Sequence, residues 1–195
     1  MVKVLVVNNY PSRERVEVLE RCLRGNGAQV VPVDLRGVSS RRFDSCDGVV
    51  LSGSPAMMSN PKTVSKFQPE IDAVIDSKVP IFGVCFGHQL IARAFGAEVV
   101  KDVREVKEMV ETKVLKEDSL FASLPKSLML MESRHEVVKS TPDGFSRLAR
   151  SRTSRIAAMK HQTRLLYGVQ FHPERFTKTH PEGDWVVGNF VRTLR

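Results

Sequence analysis

Near-continuous apolar runs alternate with helix-periodic stretches along the first half of the chain. Val2 to Val7 is almost all Val and Leu, the pattern of a strand covered on both faces. Asn8-Asn9-Tyr10-Pro11-Ser12 breaks that run, with Ser12 placed to cap a helix. Val16, Leu19 and Leu23 then recur at helical spacing, with Cys22 beside them, and Gly25-Asn26-Gly27 closes the segment. Ala28 to Val33 and Gly48 to Leu51 read as further strands, and Ser52 to Pro61 as a loop. Val64 to Ile75 carries the next helical pattern, and Val79 to Val84 returns to strand. Such an order predicts a mainly parallel sheet with helices on both faces, whose ligands bind at the carboxyl ends of the strands. Asn8, Ser52-Gly53-Ser54 and Cys85 all fall at that end.

The texture changes after Ala97. Val99 to Leu115 alternates charged and apolar residues, and shorter extended runs follow at Leu128 to Met131, Val137-Val138, Phe145 to Ala149, Ile156 to Met159 and Leu165 to Gln170. Thr141-Pro142-Asp143-Gly144 is a turn signal between two of them. This half predicts antiparallel additions and a last sheet strand, with a C-terminal helix over Trp185 to Leu194. With no repeat, low-complexity tract or linker, residues 1–195 are expected to form one domain.

The stretch Ile81-Phe82-Gly83-Val84-Cys85-Phe86-Gly87-His88-Gln89-Leu90 carries the first chemistry. It begins as an apolar strand, breaks at Gly-x-Cys-x-Gly and continues with helical period. A nucleophile between two glycines at a strand-to-helix turn is the thiol form of the nucleophile elbow. Gly83 leaves room for neighbouring backbone, and Gly87 lets the helix start close to the sheet. The N–H groups of the helix's first turn would favour a thiolate and a developing oxyanion. Against this stands a plain buried cysteine, which the glycines and the abrupt change of period disfavour.

A lone thiol needs a base, and there are five histidines. His88 shares the turn with Cys85 and is expected to face the wall. His135 falls in a polar segment read as a loop, and His161 and His180 sit beside turn residues without a fixed acidic partner. His172 differs, ending the apolar strand Tyr167 to Phe171 and preceding Pro173-Glu174. Residues i and i+2 of an extended segment face the same way, so Glu174 can hold one imidazole nitrogen while the other faces a thiol. Pro173 stiffens that geometry. Cys85, His172 and Glu174 then form a triad in which the acid orients the base.

Composition narrows the classes. The formal charge is +8 over 195 residues. That would permit a nucleic-acid surface, but the basic residues are scattered and aromatics are only 7%. The densest cluster, Arg147, Arg150, Arg152 and Arg155, has no interleaved stacking rings, so neither nucleic acid nor membrane is an expected partner. Cys22, Cys46 and Cys85 give no disulfide framework and no metal-ligand spacing, which points to a reducing, cytoplasmic setting and no bound metal. Val4 to Val7 is too short for the apolar core of a secretory leader, and no run reaches membrane-spanning length.

Gly83-Val84-Cys85-Phe86-Gly87-His88-Gln89-Leu90 and Gly168-Val169-Gln170-Phe171-His172-Pro173-Glu174, in this order and at this separation, resemble the two defining motifs of class I glutamine amidotransferases. The resemblance runs over almost the whole chain and implies a flavodoxin-like α/β fold. It also implies hydrolysis of the glutamine side-chain amide by Cys85, His172 and Glu174. By the same resemblance, the oxyanion is received by the N–H of Phe86 and by a Ser-Gly-Gly-Pro loop, here Ser52-Gly53-Ser54-Pro55. Ser54 replaces the second glycine, at a cost of about 1 kcal/mol or more if that position requires positive φ. Gln89 matches a position that contacts substrate glutamine, and Ser133-Arg134 matches a loop that closes over its α-groups.

No Walker-type or pyrophosphatase-type loop is present, so ATP and Mg²⁺ are expected on a separate synthetase chain and no cofactor on this one. Ser133 through Phe145, Ala158-Met159-Lys160-His161 and Gly183 with Asn189-Phe190 are similar to the free-standing glutaminase subunits of two-subunit GMP synthetases. That implies an ATP-pyrophosphatase partner. Asn8-Asn9-Tyr10-Pro11-Ser12 drifts toward the anthranilate-synthase type, and the Arg175 to Pro181 segment is longer and more basic than that resemblance leads one to expect. An amidotransferase of another pathway, a stand-alone γ-glutamyl hydrolase or peptidase, and a non-catalytic regulator stay open.

Overall fold

A computed structural model describes residues 1–195. Nine strands form one sheet: β1 (Val2–Asn8), β2 (Ala28–Asp34), β3 (Gly48–Leu51), β4 (Ile81–Val84), β5 (Val99–Val114), β6 (Ser127–Val138), β7 (Phe145–Ser151), β8 (Ala158–His161) and β9 (Leu166–Val169). Their order is β2-β1-β3-β4-β9-β8-β7-β5-β6. The first five in that order are parallel neighbours, and the rest pair antiparallel. The parallel half with antiparallel additions is thus as the sequence pattern predicts, and the fold is the expected flavodoxin-like α/β type.

Strand alternation sorts the core. Val4 and Val6 of β1 face the same side as Val50, Phe82 and Val84, under helices α1 (Glu14–Gly25) and α6 (Glu182–Arg192). Leu5 and Val7 face the other side with Val49, Leu51 and Ile81. That side is covered by α2 (Ser40–Phe43), α4 (Gln68–Asp76) and α5 (Phe86–Ala94) through Phe43, Ile71, Val74, Leu90 and Ile91. Both faces of β1, β3 and β4 are therefore buried, which is why these strands read as unbroken apolar runs.

Three expectations need correction. Arg13, not Ser12, occupies the N-cap of α1, and no side chain caps it; Glu14 and Glu17 in the first turn supply the favourable charge instead. The helical pattern over Val64 to Ile75 is two helices, α3 (Pro61–Lys66) and α4. Pro69 has no N–H to continue the first ladder, so the chain divides at Phe67, whose ring packs 4.8 Å from that of Phe86. Finally, the polar segment around His135 is not a loop but the interior of β6. Its charged residues hid the strand because Glu132, Arg134 and Glu136 lie on the buried face, where they pair with other polar groups.

Candidate active site

Four parallel strands end side by side; three of the ends deliver a residue singled out above, and at the end of β1 it is Asn9 rather than Asn8 that meets the others. Beyond β1 comes Asn9, and beyond β3 comes Ser52, whose Oγ accepts the Asn9 N–H at 2.9 Å. Beyond β4 comes Cys85, and beyond β9 comes His172. The sheet order β1-β3-β4-β9 places all four on one edge.

Cys85 has φ 51° and ψ −97°, a left-handed conformation that a residue with a side chain adopts only under constraint. The constraint is visible. Its N–H donates to the Val169 carbonyl at 2.8 Å, and its carbonyl accepts the Gln89 N–H at 3.1 Å. The flanking glycines are required by space: a Cβ on Gly83 would stand 2.6 Å from the Gly87 backbone, and one on Gly87 would stand 2.5 Å from the Leu51 carbonyl oxygen. The elbow therefore forms as its sequence predicts. Its thiol donates to the Ser133 carbonyl at 3.6 Å, and Gln170 Nε2 lies 3.8 Å from the sulfur.

His172 begins a 3₁₀ turn, and its N–H donates to the Met131 carbonyl of β6 at 2.7 Å. Its Nδ1 lies 2.7 Å from Glu174 Oε1, with both side chains buried. Burial alone would push the imidazole pKa down, but the Glu174 carboxylate and the Cys85 thiol beside it outweigh that and hold it well above the ordinary histidine value. Glu174 answers in the opposite sense: burial raises its pKa, yet His172 and Arg175 bring the net value below that of a free carboxyl. His88, by contrast, is walled in against Gly168, and burial drives its pKa down to about 3. It is neutral and faces away from the site, as expected.

A cavity of about 510 Å³ opens over these groups; Tyr10, Ser54, Cys85, Gln89, Ser133 and His172 are among its walls. Its mouth carries Arg15, Lys107 and Arg175 beside Glu14 and Glu105. Ser54 does not have positive φ, so the strain weighed for this position does not arise; its Oγ accepts the Ala56 N–H at 3.1 Å. Gly53 is tightly placed, because a Cβ there would collide with the Tyr10 hydroxyl and come within 2.9 Å of the His172 ring. Phe86 begins α5, directly after the nucleophile. Gln89 Nε2 donates to the Glu136 carbonyl at 3.0 Å and to Gln170 Oε1 at 3.4 Å.

Arg134 departs from the role its position suggested. It lies on a strand rather than a closing loop, and its guanidinium is fully buried. Nε bonds Glu132 at 3.0 Å, Nη1 bonds Asp102 at 2.5 Å, and Nη2 bonds the Thr153 carbonyl. Those donors are engaged inside the protein, and Arg134 borders the cavity without offering a free charge. Ser133 contributes its carbonyl to the thiol.

Two neighbours were not singled out by sequence. Tyr10 packs on Gly53 and receives Arg175 Nη2 at 3.5 Å; burial and the Glu174 charge raise its pKa. Gln170 reaches both Cys85 and Gln89. The one available signal for it was a glutamine inside an otherwise apolar strand. No group of three or more His, Cys, Asp or Glu side chains is arranged to hold a metal, and no helix is long and apolar enough to cross a membrane.

With this fold and elbow in place, the family model for glutamine amidotransferase class-I matches residues 5–192, and the chain belongs to that family. Within it, the chain is similar to proteins named as one subunit of GMP synthase (glutamine-hydrolyzing). The one from Pyrococcus abyssi is 40% identical over 74% of each chain. That from Methanothermobacter thermautotrophicus is 33% identical over the full length of both. A crystal structure of a protein described as a candidate GMP synthase subunit from Thermoplasma acidophilum superposes with a TM-score of 0.87 at 30% identity, covering 100% of this chain and 94% of that one.

Proposed function

We propose that this chain is the glutaminase subunit of a two-subunit GMP synthetase. It hydrolyses glutamine to glutamate and delivers ammonia to a separate ATP-pyrophosphatase chain, which aminates xanthosine monophosphate. The observation that carries the reaction is the convergence of a strained Cys85 elbow with a buried, carboxylate-held His172 on one sheet edge. The Cys85 sulfur attacks the side-chain amide carbon while His172 holds the thiol's proton on Nε2, and the carbonyl electrons move to oxygen. The resulting oxyanion is received by the Phe86 N–H and by an N–H of the Gly53-Ser54 loop. Collapse expels ammonia as His172 returns the proton to nitrogen, leaving a γ-glutamyl thioester on Cys85. Water, deprotonated by His172, then releases glutamate. Glu174 keeps the imidazole oriented throughout.

Both signs of charge at the mouth suit the α-carboxylate and α-ammonium of a free amino acid, and with Arg134 engaged elsewhere Arg15, Lys107 and Arg175 are the cations left for this task. ATP and Mg²⁺ belong to the partner chain. The names of the full-length relatives support the choice of acceptor. The test combines this chain with a purified ATP-pyrophosphatase synthetase, xanthosine monophosphate, ATP, Mg²⁺ and glutamine. GMP formation that requires both chains is expected. A mixture that makes GMP from free ammonia but never from glutamine would overturn the assignment.

A further inference from the structure

The glutaminase reading leaves one buried acid of the site without a task. Glu136 lies on β6 with 2% of its surface exposed. Its carboxylate touches no cation. Instead, Oε2 accepts the Met58 N–H at 2.6 Å and Oε1 accepts the Ser59 N–H at 3.1 Å. These two amides end the loop that begins at Ser52, and Asn60 then caps α3 by accepting the Lys62 N–H at 2.9 Å. The start of the loop is held by the Asn9 N–H on Ser52 Oγ. Ser54 to Met57, between the two anchors, borders the cavity. The backbone carbonyl of Glu136 also accepts Gln89 Nε2 at 3.0 Å.

We infer that Glu136 is a positioning residue that sets the Gly53–Met57 loop against Cys85, so that one side chain of β6 aligns the loop's oxyanion donor while its backbone orients Gln89. Burying a carboxylate is costly unless its oxygens are hydrogen-bonded, and charge-assisted bonds to paired backbone amides are short and directional. A displacement of about 1 Å in an oxyanion donor is enough to cost catalysis without affecting the nucleophile itself. The inference deepens the glutaminase reading and rests on it.

Glu136→Gln separates the two functions of the residue. It keeps the shape but must turn an NH₂ group toward one of the two backbone N–H donors, while the backbone carbonyl to Gln89 is untouched. The expected result is a fall in kcat of about 10²-fold, with KM for glutamine within about threefold. Alkylation of Cys85 by iodoacetamide, which requires no oxyanion hole, stays within about twofold. Amide exchange read by NMR tests the clamp in the unaltered chain: the Met58 and Ser59 amides should be protected by at least about tenfold over open-loop rates. Open-loop exchange there, or a folded Glu136→Gln protein with unchanged kcat, would overturn the inference. Loss of kcat and alkylation together would also overturn it, by showing general damage to the site. Protected amides in a wild-type chain that never hydrolyses glutamine would overturn the assigned reaction instead, so the two failures are told apart.

Discussion

The Nδ1 atom of His172 and the Oε1 atom of Glu174 lie 2.7 Å apart, two residues from each other and both buried, while the rest of the imidazole faces Gly53 and the Cys85 thiol. The pairing follows from local geometry, though not from the extended segment expected: His172 has φ −101° and ψ 88°, Pro173 turns the chain, and Glu174 folds back within the 3₁₀ turn. With the carboxylate ionised, Nδ1–H donates to it, and Nε2 is the nitrogen that exchanges a proton with the thiol.

Replacing Glu174 by Gln should therefore act on His172 and not on the fold. We expect kcat to fall by about 10²–10⁴-fold with a smaller change in KM. In the same variant, the His172 imidazole followed by NMR should titrate at lower pH than in the wild type, because the charge that outweighs burial is gone. An unchanged His172 titration would show that Glu174 does not hold the imidazolium.

Ser54 stands where the family pattern has glycine, yet it does not adopt positive φ. Ser54→Gly is expected to leave kcat within about threefold, since no left-handed strain of about 1–2 kcal/mol is there to be relieved. Steady-state glutaminase rates measure this directly.

Glu70 gives a pH-dependent stability. It is fully buried beneath the same loop; Oε1 accepts Asn9 Nδ2 at 3.0 Å, and Oε2 has no partner. Burial pushes its pKa up to about 8, against a smaller opposing effect of the Asn9 bond. The folded state thus keeps a proton that the unfolded chain releases near pH 4.5. Between that value and about 8, this group lowers stability as pH rises, by about 1.4 kcal/mol per pH unit. Glu70→Gln retains the acceptor and cannot ionise, so its advantage over wild type should grow across that window. Urea unfolding at pH 5 and pH 8 reads the difference; equal gaps at the two values would count against it.

Much of this was legible in the chain, for identifiable reasons. β1, β3 and β4 are covered on both faces, so their apolar runs stand out, and Gly83 and Gly87 mark the elbow because no Cβ fits at either place. His172 and Glu174 could be paired because their contact is local. The parts that stayed hidden depend on long-range partners. The buried face of β6 is polar, with Glu132 bonded to Ser151 and Thr153, Arg134 to Asp102, and Glu136 to the loop after β3. Nothing in the local period announces such partners, and the middle of the strand, Glu132 to Glu136, read as a loop between two extended runs. Arg134 looked available for substrate for the same reason: its partners Asp102 and Thr153 lie 32 and 19 residues away in sequence.

The central claim is that Cys85 is the glutaminase nucleophile. The chain should be treated with a chloroketone analogue of glutamine, digested and mapped by mass spectrometry, with and without excess glutamine. A single adduct on Cys85, suppressed by glutamine and absent in the Cys85→Ala variant, is the expected result. An adduct confined to Cys22 or Cys46, or no adduct on Cys85, would contradict the account.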